Sequence, residues 1–521
     1  MIDLASLAAD VRALIEAQAA TIAQQGAELS AHRAMVETLR LQLARLRRMQ
    51  FGRSSEKLDA EIAQLTLALE DLEAGIERRD EPADEEPTAR PDASGQRPAR
   101  RPLPDHLPRT VVAHHAACAC PRCGGVLRPL GEDVTEVLDY VPASFRVIRH
   151  VRPKFSCRSC ETITQAPAPE LPVRRGRATA SLLAHVLIAK FADHLPLYRQ
   201  SEIYAREGVE LERSTLADWV GQSANLLRPL VDALAKHVLA GDRVHADDTP
   251  VPVLAPGAGK TKTGRLWAYL RDERPHAGPA APAVFYRYSP DRRAEHPHAH
   301  LVEFTGVLHA DGYTGFNGLY QDGRVIEAAC WAHVRRKFFD LHAARQSPGA
   351  AEALQRIRAL YAIEDDVRGR PPDERRHARE KRARPLLDDM RAWLDTTLRQ
   401  TSKRSDLAKA IRYALARWTA LTRYVGDGRI EIDNNPVERA IRPIALGRKN
   451  WLFAGSDAGG TRAAAIASLI ATARLNGLDP EAYLRHVLER IATHPARRIG
   501  ELLPWNCASL IAIAQQVRRA A

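Results

Sequence analysis

At 521 residues, 45% of them apolar, the chain is long enough for three or four domains with sizeable cores, which excludes a wholly disordered protein. Lysine and arginine exceed aspartate and glutamate by 76 − 64 = 12, which suits a polyanionic partner, nucleic acid or an anionic membrane, as well as a merely arginine-rich composition. No run of 18 apolar residues exists, the acid-bearing N-terminus does not read as a signal peptide, and seven cysteines form no disulfide framework, so no membrane span and a cytosolic place are expected.

Residues 1–78 predict coiled-coil helices. Ala8, Ile15, Ile22, Leu29, Val36 and Leu43 repeat every seven residues. The second seam position is apolar at Leu4, Val11, Leu39 and Leu46 but polar at Gln18, Gln25 and His32. This suits a self-association zipper; the plain alternative is one amphipathic helix packed on its own domain. Residues 79–109, dominated by proline and mixed charge, predict a disordered linker.

Residues 110–172 carry Cys120-x-x-Cys123 and Cys157-x-x-Cys160. Two such knuckles present four sulfurs to one tetrahedral zinc ion, and the alternating segment between them completes a zinc-ribbon-like module. Cys118 lies close enough to substitute for Cys120, whereas Cys330 and Cys507 read as ordinary thiols. Residues 173–240 predict helices broken at Gly208, with Ser214 capping "TLADWVGQS". That layout resembles a helix-turn-helix-like DNA-binding domain, although the reader helix carries few cations and a plain three-helix unit fits as well.

From residue 243 the period changes to two. "RVHADDTPVPVL", "GRLWAYLRDE", "AVFYRYS" and "GVLHADGYTGF" predict four strands, with a helical stretch before the fourth. The order suits a ribonuclease-H-like α/β layer, here with a helical insertion over about 345–425. In that topology the first and fourth strands are neighbours, so Asp247 and Asp311 stand one strand spacing apart, roughly 5 Å. Two carboxylates so close call for a hard divalent cation, magnesium or manganese. His245 and His309 share their face and read as hydrogen-bonded neighbours rather than ligands; Asp248 points the other way.

In "IDNNPVERAIRPIALGRKNW", Asn435 reads as a helix cap, Pro436 as the first helical residue and Glu438 as the third. The plain reading of Glu438 is a capping box. Its place after two strand-end aspartates, among Arg439, Arg442, Arg448 and Lys449, favours a metal carboxylate within a phosphate-binding surface. Arg335, Arg336 and Lys337 of "CWAHVRRKF" extend that basic set.

"HADDTPVPVL", "LHADGYTGF", "CWAHVRRKF" and "IDNNPVERAIRPIALGRKNWLFAGS" together resemble the transposases of the insertion sequence 66 family. The resemblance extends to "FGRSSEKL", the cysteine module, the helical segment and "ELLPWN". It implies a DDE transposase with a ribonuclease-H-like catalytic domain over 241–480 and a C-terminal helical element over 481–521. Asp247, Asp311 and Glu438 would hold two magnesium or manganese ions about 4 Å apart. Cys120, Cys123, Cys157 and Cys160 would hold structural zinc. The implied partners are terminal inverted repeats, target DNA, a second copy joined through the coiled coil, and accessory proteins of the same element; the implied place is the bacterial nucleoid. The chain has "ADD" where the family commonly has Asp-Glu-Thr, so Asp248 takes the glutamate place. The rivals are a nuclease without strand transfer, a zinc-dependent DNA-binding regulator and a catalytically inactive element protein.

Overall fold

The computed structural model describes residues 178–520 apart from 256 and 258, and short pieces between 145 and 173. The expected zipper, the linker and the zinc cysteines lie outside the described residues. Lys154–Ser156 pairs antiparallel with Ile163–Gln165, and this hairpin brackets the stretch that holds Cys157 and Cys160.

Helix α1 (Ala180–Phe191) begins at Thr179, whose hydroxyl accepts the Leu182 N–H. Helix α2 (Leu197–Arg206) stops before Gly208, which turns the chain at φ 82°. Helix α3 runs from Arg213 to Leu239. It starts at Arg213 behind Glu212, so Ser214 is not its cap. Its fully buried Leu216, Leu227, Leu230, Leu234 and Val238 recur at helical spacing and share one core with Trp267, Tyr269 and Phe285. The long helix therefore spends its apolar stripe on the sheet, and the helices of 178–239 have no core of their own.

The sheet contains β1 (Arg243–Val253), β2 (Lys262–Arg271), β3 (Ala283–Ser289), β4 (Gly306–Ala310) and β5 (Val325–Ala329), with α4 (Glu295–His300) before β4. Its order is β3-β2-β1-β4-β5. The first three strands are antiparallel; β1 pairs with β4, and β4 with β5, in parallel. This mixed α/β arrangement is compatible with a ribonuclease-H-like domain. The fifth strand was not expected. "VIEAA" is five residues long and runs almost directly into a helix, and so short an apolar run carries no distinguishing period.

Both faces of the sheet are buried, and β2 shows why its sequence is nearly continuously apolar. Trp267 and Tyr269 face α3, while Leu266, Ala268 and Leu270 face the opposite layer. After β5 the chain leaves the sheet through α5 (Trp331–Arg345), α6 (Pro348–Val367), α7 (Pro372–Ala378), a π-helical turn (Arg379–Ala383), α8 (Arg384–Gln400), α9 (Asp406–Ala416) and α10 (Trp418–Gly426). These helices begin directly after β5, earlier than the expected insertion at 345.

Helices α11 (Asn435–Trp451) and α12 (Asp457–Leu475) return to the sheet, where Val437, Ile441 and Ala464 join the core beneath β1 and β2. Ser468 and Thr472, one turn apart on α12, accept the N–H groups of Tyr286 and Val284. They satisfy the open edge of β3, which would otherwise invite another strand. Helices α13 (Pro480–Leu488) and α14 (Pro504–Ala520) follow, and Trp505 lies against His237 of α3 with ring centroids 4.3 Å apart. Among the described residues no helix is long and apolar enough to cross a membrane.

Candidate active site

The parallel pairing of β1 and β4 sets His245 opposite His309. Asp247 and Asp311 follow two residues later, Asp247 within β1 where it is still paired with β2 and Asp311 directly after β4 ends. The imidazoles stack at 4.9 Å between centroids. His245 Nδ1 bonds Asn434 Oδ1 at 2.9 Å, and His309 Nε2 bonds the Ala329 carbonyl at 3.2 Å. Both are thus held as neighbours of the acids. Burial lowers both imidazole pKa values, so the pair adds no positive charge at neutral pH.

Asp247 lies opposite Ala268 and so faces α11, while Asp248, opposite Trp267, faces the other side. The Asp248 N–H donates to Asp247 Oδ1 at 2.7 Å. Burial, then the charge of Asp311, pushes the Asp247 carboxyl well above the ordinary carboxylate range, and Glu438 adds to the push. Asp311 Oδ1 accepts the Tyr313 N–H at 2.9 Å, which closes the turn after β4. Gly312 holds φ 83° in that turn and lets Arg417 reach its carbonyl at 2.7 Å; a side chain there would collide with the guanidinium.

Glu438 proves not to be a capping residue. The Asn435 N–H donates to Asp433 Oδ1 at 3.1 Å, and Asp433 Oδ2 accepts from Asn435 Nδ2 at 2.9 Å and the Tyr361 hydroxyl at 3.0 Å. Asn434, not Asn435, occupies the cap position, and its side chain makes no capping bond. Fully buried, it donates instead to the Ala246 carbonyl at 2.9 Å, and its N–H reaches Cys330 Sγ at 3.2 Å. The start of α11 is thereby fastened to β1 one residue before Asp247. Glu438 Oε1 is buried without a hydrogen-bond partner, 3.6 Å from His333 Nδ1, which also lacks one.

The ligand atoms of Cys330, His333 and Glu438 lie within 4.8 Å of one another; Asp247, Asp311 and Glu438 form no group so tight among the described residues. The three acids nevertheless offer only oxygen donors, and Asp247 is pushed up by burial and by the charge of Asp311. That set fits a hard divalent cation.

The family model described as "Transposase IS66 family" matches residues 175–462, more than half of the chain. The chain belongs to the IS66 transposase family. Further models match over 117–161 (zinc-finger binding domain of transposase IS66), 468–505 (IS66 C-terminal element) and 38–112 (Transposase C of IS166 homeodomain). Among its relatives in Sinorhizobium fredii (strain NBRC 101917 / NGR234), the uncharacterized protein y4hP is 42% identical over 492 residues, covering 90% of this chain and 89% of the relative. The uncharacterized protein y4jD is 41% identical over 489 residues, covering 91% and 95%. This IS66 transposase therefore combines DNA-binding and zinc-finger modules with the α/β layer.

The cations of the IS66 chain differ in exposure. Arg439, Lys449 and Arg336 are exposed, and Arg335 and Arg442 are half-buried. Lys337 Nζ lies 4.4 Å over the ring of Tyr413, whose hydroxyl bonds the Asp311 carbonyl. Arg448 is instead committed to the carbonyls of Ala445 and Pro250.

Arg292 escaped the sequence reading altogether. Asp248, with a side chain 3% exposed, accepts from Arg265 at 3.0 Å and Arg292 at 2.9 Å. The Arg292 guanidinium also stacks 4.2 Å over the ring of Tyr313 and stands 3.9 Å from Asp311 Oδ2. The residue in the family's glutamate place thus holds an arginine at the rim of the acids. "SPDRRAEH" is an aperiodic loop, and nothing in it marks Arg292 out from Arg293.

Proposed function

We propose that the chain is a DDE transposase that binds the terminal inverted repeats of its own element, cuts DNA there and joins the freed end to target DNA. The reading rests chiefly on one observation: Asp247 and Asp311, each two residues past the paired His245 and His309 on adjacent parallel strands, with the electrostatic influence of Glu438 reaching Asp247 from α11. Acids kept near one another without enough cations to neutralise them mark a functional site more often than a structural one.

Asp247, Asp311 and Glu438 would hold divalent cations, magnesium or manganese. Such ions supply the positive charge that activates water at a scissile phosphate and stabilises the leaving 3′-oxygen. The residues of this chain orient and neutralise. The Asp248 N–H and the turn at Tyr313 fix the two aspartates, and Asn434 fixes the helix that bears Glu438. Arg439, Arg442, Lys449, Arg335, Arg336 and Lys337 bind backbone phosphates, so binding weakens as salt rises. Arg292, held by Asp248, faces the phosphate nearest Asp311. In strand transfer the freed 3′-hydroxyl takes the place of water, and no covalent enzyme intermediate forms.

Within this reading, residues 1–78 pair two protomers, 110–172 form the zinc module through Cys120, Cys123, Cys157 and Cys160, and 241–480 form the catalytic domain. The test is to incubate the full chain and magnesium or manganese with DNA carrying the gene's own genomic flanks, beside Glu438→Gln. End-specific cleavage by the wild type, lost in the variant, is the expected result. Binding without cleavage by either protein favours a DNA-binding regulator or an inactive element protein.

A further inference from the structure

We propose that Cys330, His333 and Glu438 form a second, softer metal site that takes zinc and draws Glu438 away from the magnesium-binding aspartates. The consequence for Glu438 rests on the functional reading above; the site itself does not. Cys330 immediately precedes α5, and His333 lies three residues on, on the same face of the chain's first turn. Glu438 comes from the first turn of α11. The two helix starts are tied together because the Asn434 N–H donates to Cys330 Sγ.

His333 Nδ1 and Glu438 Oε1 are both buried, face each other at 3.6 Å, and have no hydrogen-bond partner. Two orphaned polar atoms so placed call for something between them. Zinc bonds of about 2.1 Å to nitrogen and oxygen give a tetrahedral edge of roughly 3.4 Å, close to that separation. Sulfur, nitrogen and oxygen donors together suit a borderline ion such as zinc far better than magnesium. Burial, then the charges of Asp433 and Glu438, push the Cys330 thiol well above its ordinary value. Two backbone N–H groups directed at the sulfur, of Asn434 and His333, oppose that rise, and a bound cation would be needed to hold the thiolate. Zinc binding would release the thiol proton to solvent, and the three protein ligands leave the fourth position open. Asp247 and Asp311 offer oxygen only, so the two sites compete for Glu438 and not for the same ion.

The test is zinc content per chain, by elemental mass spectrometry, for the full chain expressed with zinc and then dialysed. Cys330→Ser and His333→Gln are measured beside the wild type, each checked by thermal melting. The wild type is expected to hold one more equivalent than either variant, because the cysteine module is untouched. Equal zinc in all folded proteins overturns the proposal and assigns the gap to a water molecule. His333→Gln keeps the test alive if Cys330→Ser does not fold, since it leaves the Cys330–Asn434 bond intact. In magnesium buffer, added zinc should lower wild-type DNA cleavage and lower that of His333→Gln less; the same inhibition in both overturns the competition. Zinc counting needs no cleavage, so an inactive protein would sink the transposase reading and leave the metal site standing or falling separately.

Discussion

Glu364 and Glu431, where the inserted helices meet the loop before α11, are matched by Arg375 and Arg379; Asp247 on β1 and Glu438 on α11 have no arginine match among the described residues. Arg379, fully buried, grips Glu364 through two bonds of 2.8 and 2.5 Å and reaches the carbonyls of Tyr424 and Asp427. Arg375 spans Glu364 at 3.3 Å and Glu431 at 2.7 Å. At the other cluster the Asp247 carboxyl is pushed up by burial and by its neighbours, and Glu438 Oε1 is orphaned. The difference separates two uses of a buried acid. One set is neutralised by the chain's own arginines; the other, in the proposed reading, takes its charge from a bound cation.

The largest contrast should come from Glu438→Gln. Metal-dependent cleavage of element ends should fall by about 10⁴-fold, roughly 5.5 kcal/mol of transition-state stabilisation. In cation-free buffer the same variant should melt where the wild type does, or slightly above. A stability loss as large as the activity loss would make Glu438 a structural acid like Glu364. Arg379→Ala reverses the pattern: it strands Glu364 in the interior and should cost about 3–5 kcal/mol of folding stability by denaturant titration. A loss under about 1 kcal/mol there would show that water reaches Glu364, and the comparison would lose its structural arm.

How far the sequence foretold these clusters follows from the periods that reveal them. The first four strands are apolar runs bounded by glycine, proline or charge, and the shared "VHAD" and "LHAD" made the neighbouring places of Asp247 and Asp311 legible. Strand β5 was too short to show a period. Asn435 looked like a cap because its neighbours fit one, yet Asp433 two residues earlier won the N–H, and only the packing of Tyr361 and Asn434 decides that. In the sequence Cys330 reads as a lone thiol, because Glu438 reaches it and His333 only through α11, which returns across more than a hundred residues. Arg292 and the Glu364 cluster depend on long-range pairing of charges, to which local patterns are blind.

Asp433 lies between the two clusters and can sharpen the comparison through pH. Burial is the chief cause that raises its carboxyl to about 6, with the charges of Glu431 and Glu438 adding and the Asn435 and Tyr361 bonds opposing. Its folded pKa therefore exceeds the unfolded one, so its ionisation costs stability as pH rises from about 4 to about 6 and not below. Asp433→Asn removes that cost. Relative to wild type it should gain up to about 3 kcal/mol between pH 4 and pH 7 in metal-free buffer. Urea titrations at the two pH values measure it, and a pH-independent difference would mean that the carboxyl is not held up by burial.

The smallest effect should come from Asp248, which belongs to neither class. It is buried and paired like Glu364, yet one of its arginines reaches Asp311. Asp248→Asn keeps an oxygen for one guanidinium and loses the charge that holds two. Arg265, 22% exposed along its side chain, is the more enclosed of the two, while Arg292, 39% exposed, is the one that swings away. Cleavage should fall by about tenfold to a hundredfold, the usual scale for a residue that orients the site without touching the reacting atoms. Arg292→Ala should produce the same loss, and the double variant no further loss, because both changes remove one guanidinium from beside Asp311. Additive losses would instead assign Asp248 to the structural class with Glu364, and leave Arg292 to act on DNA without it.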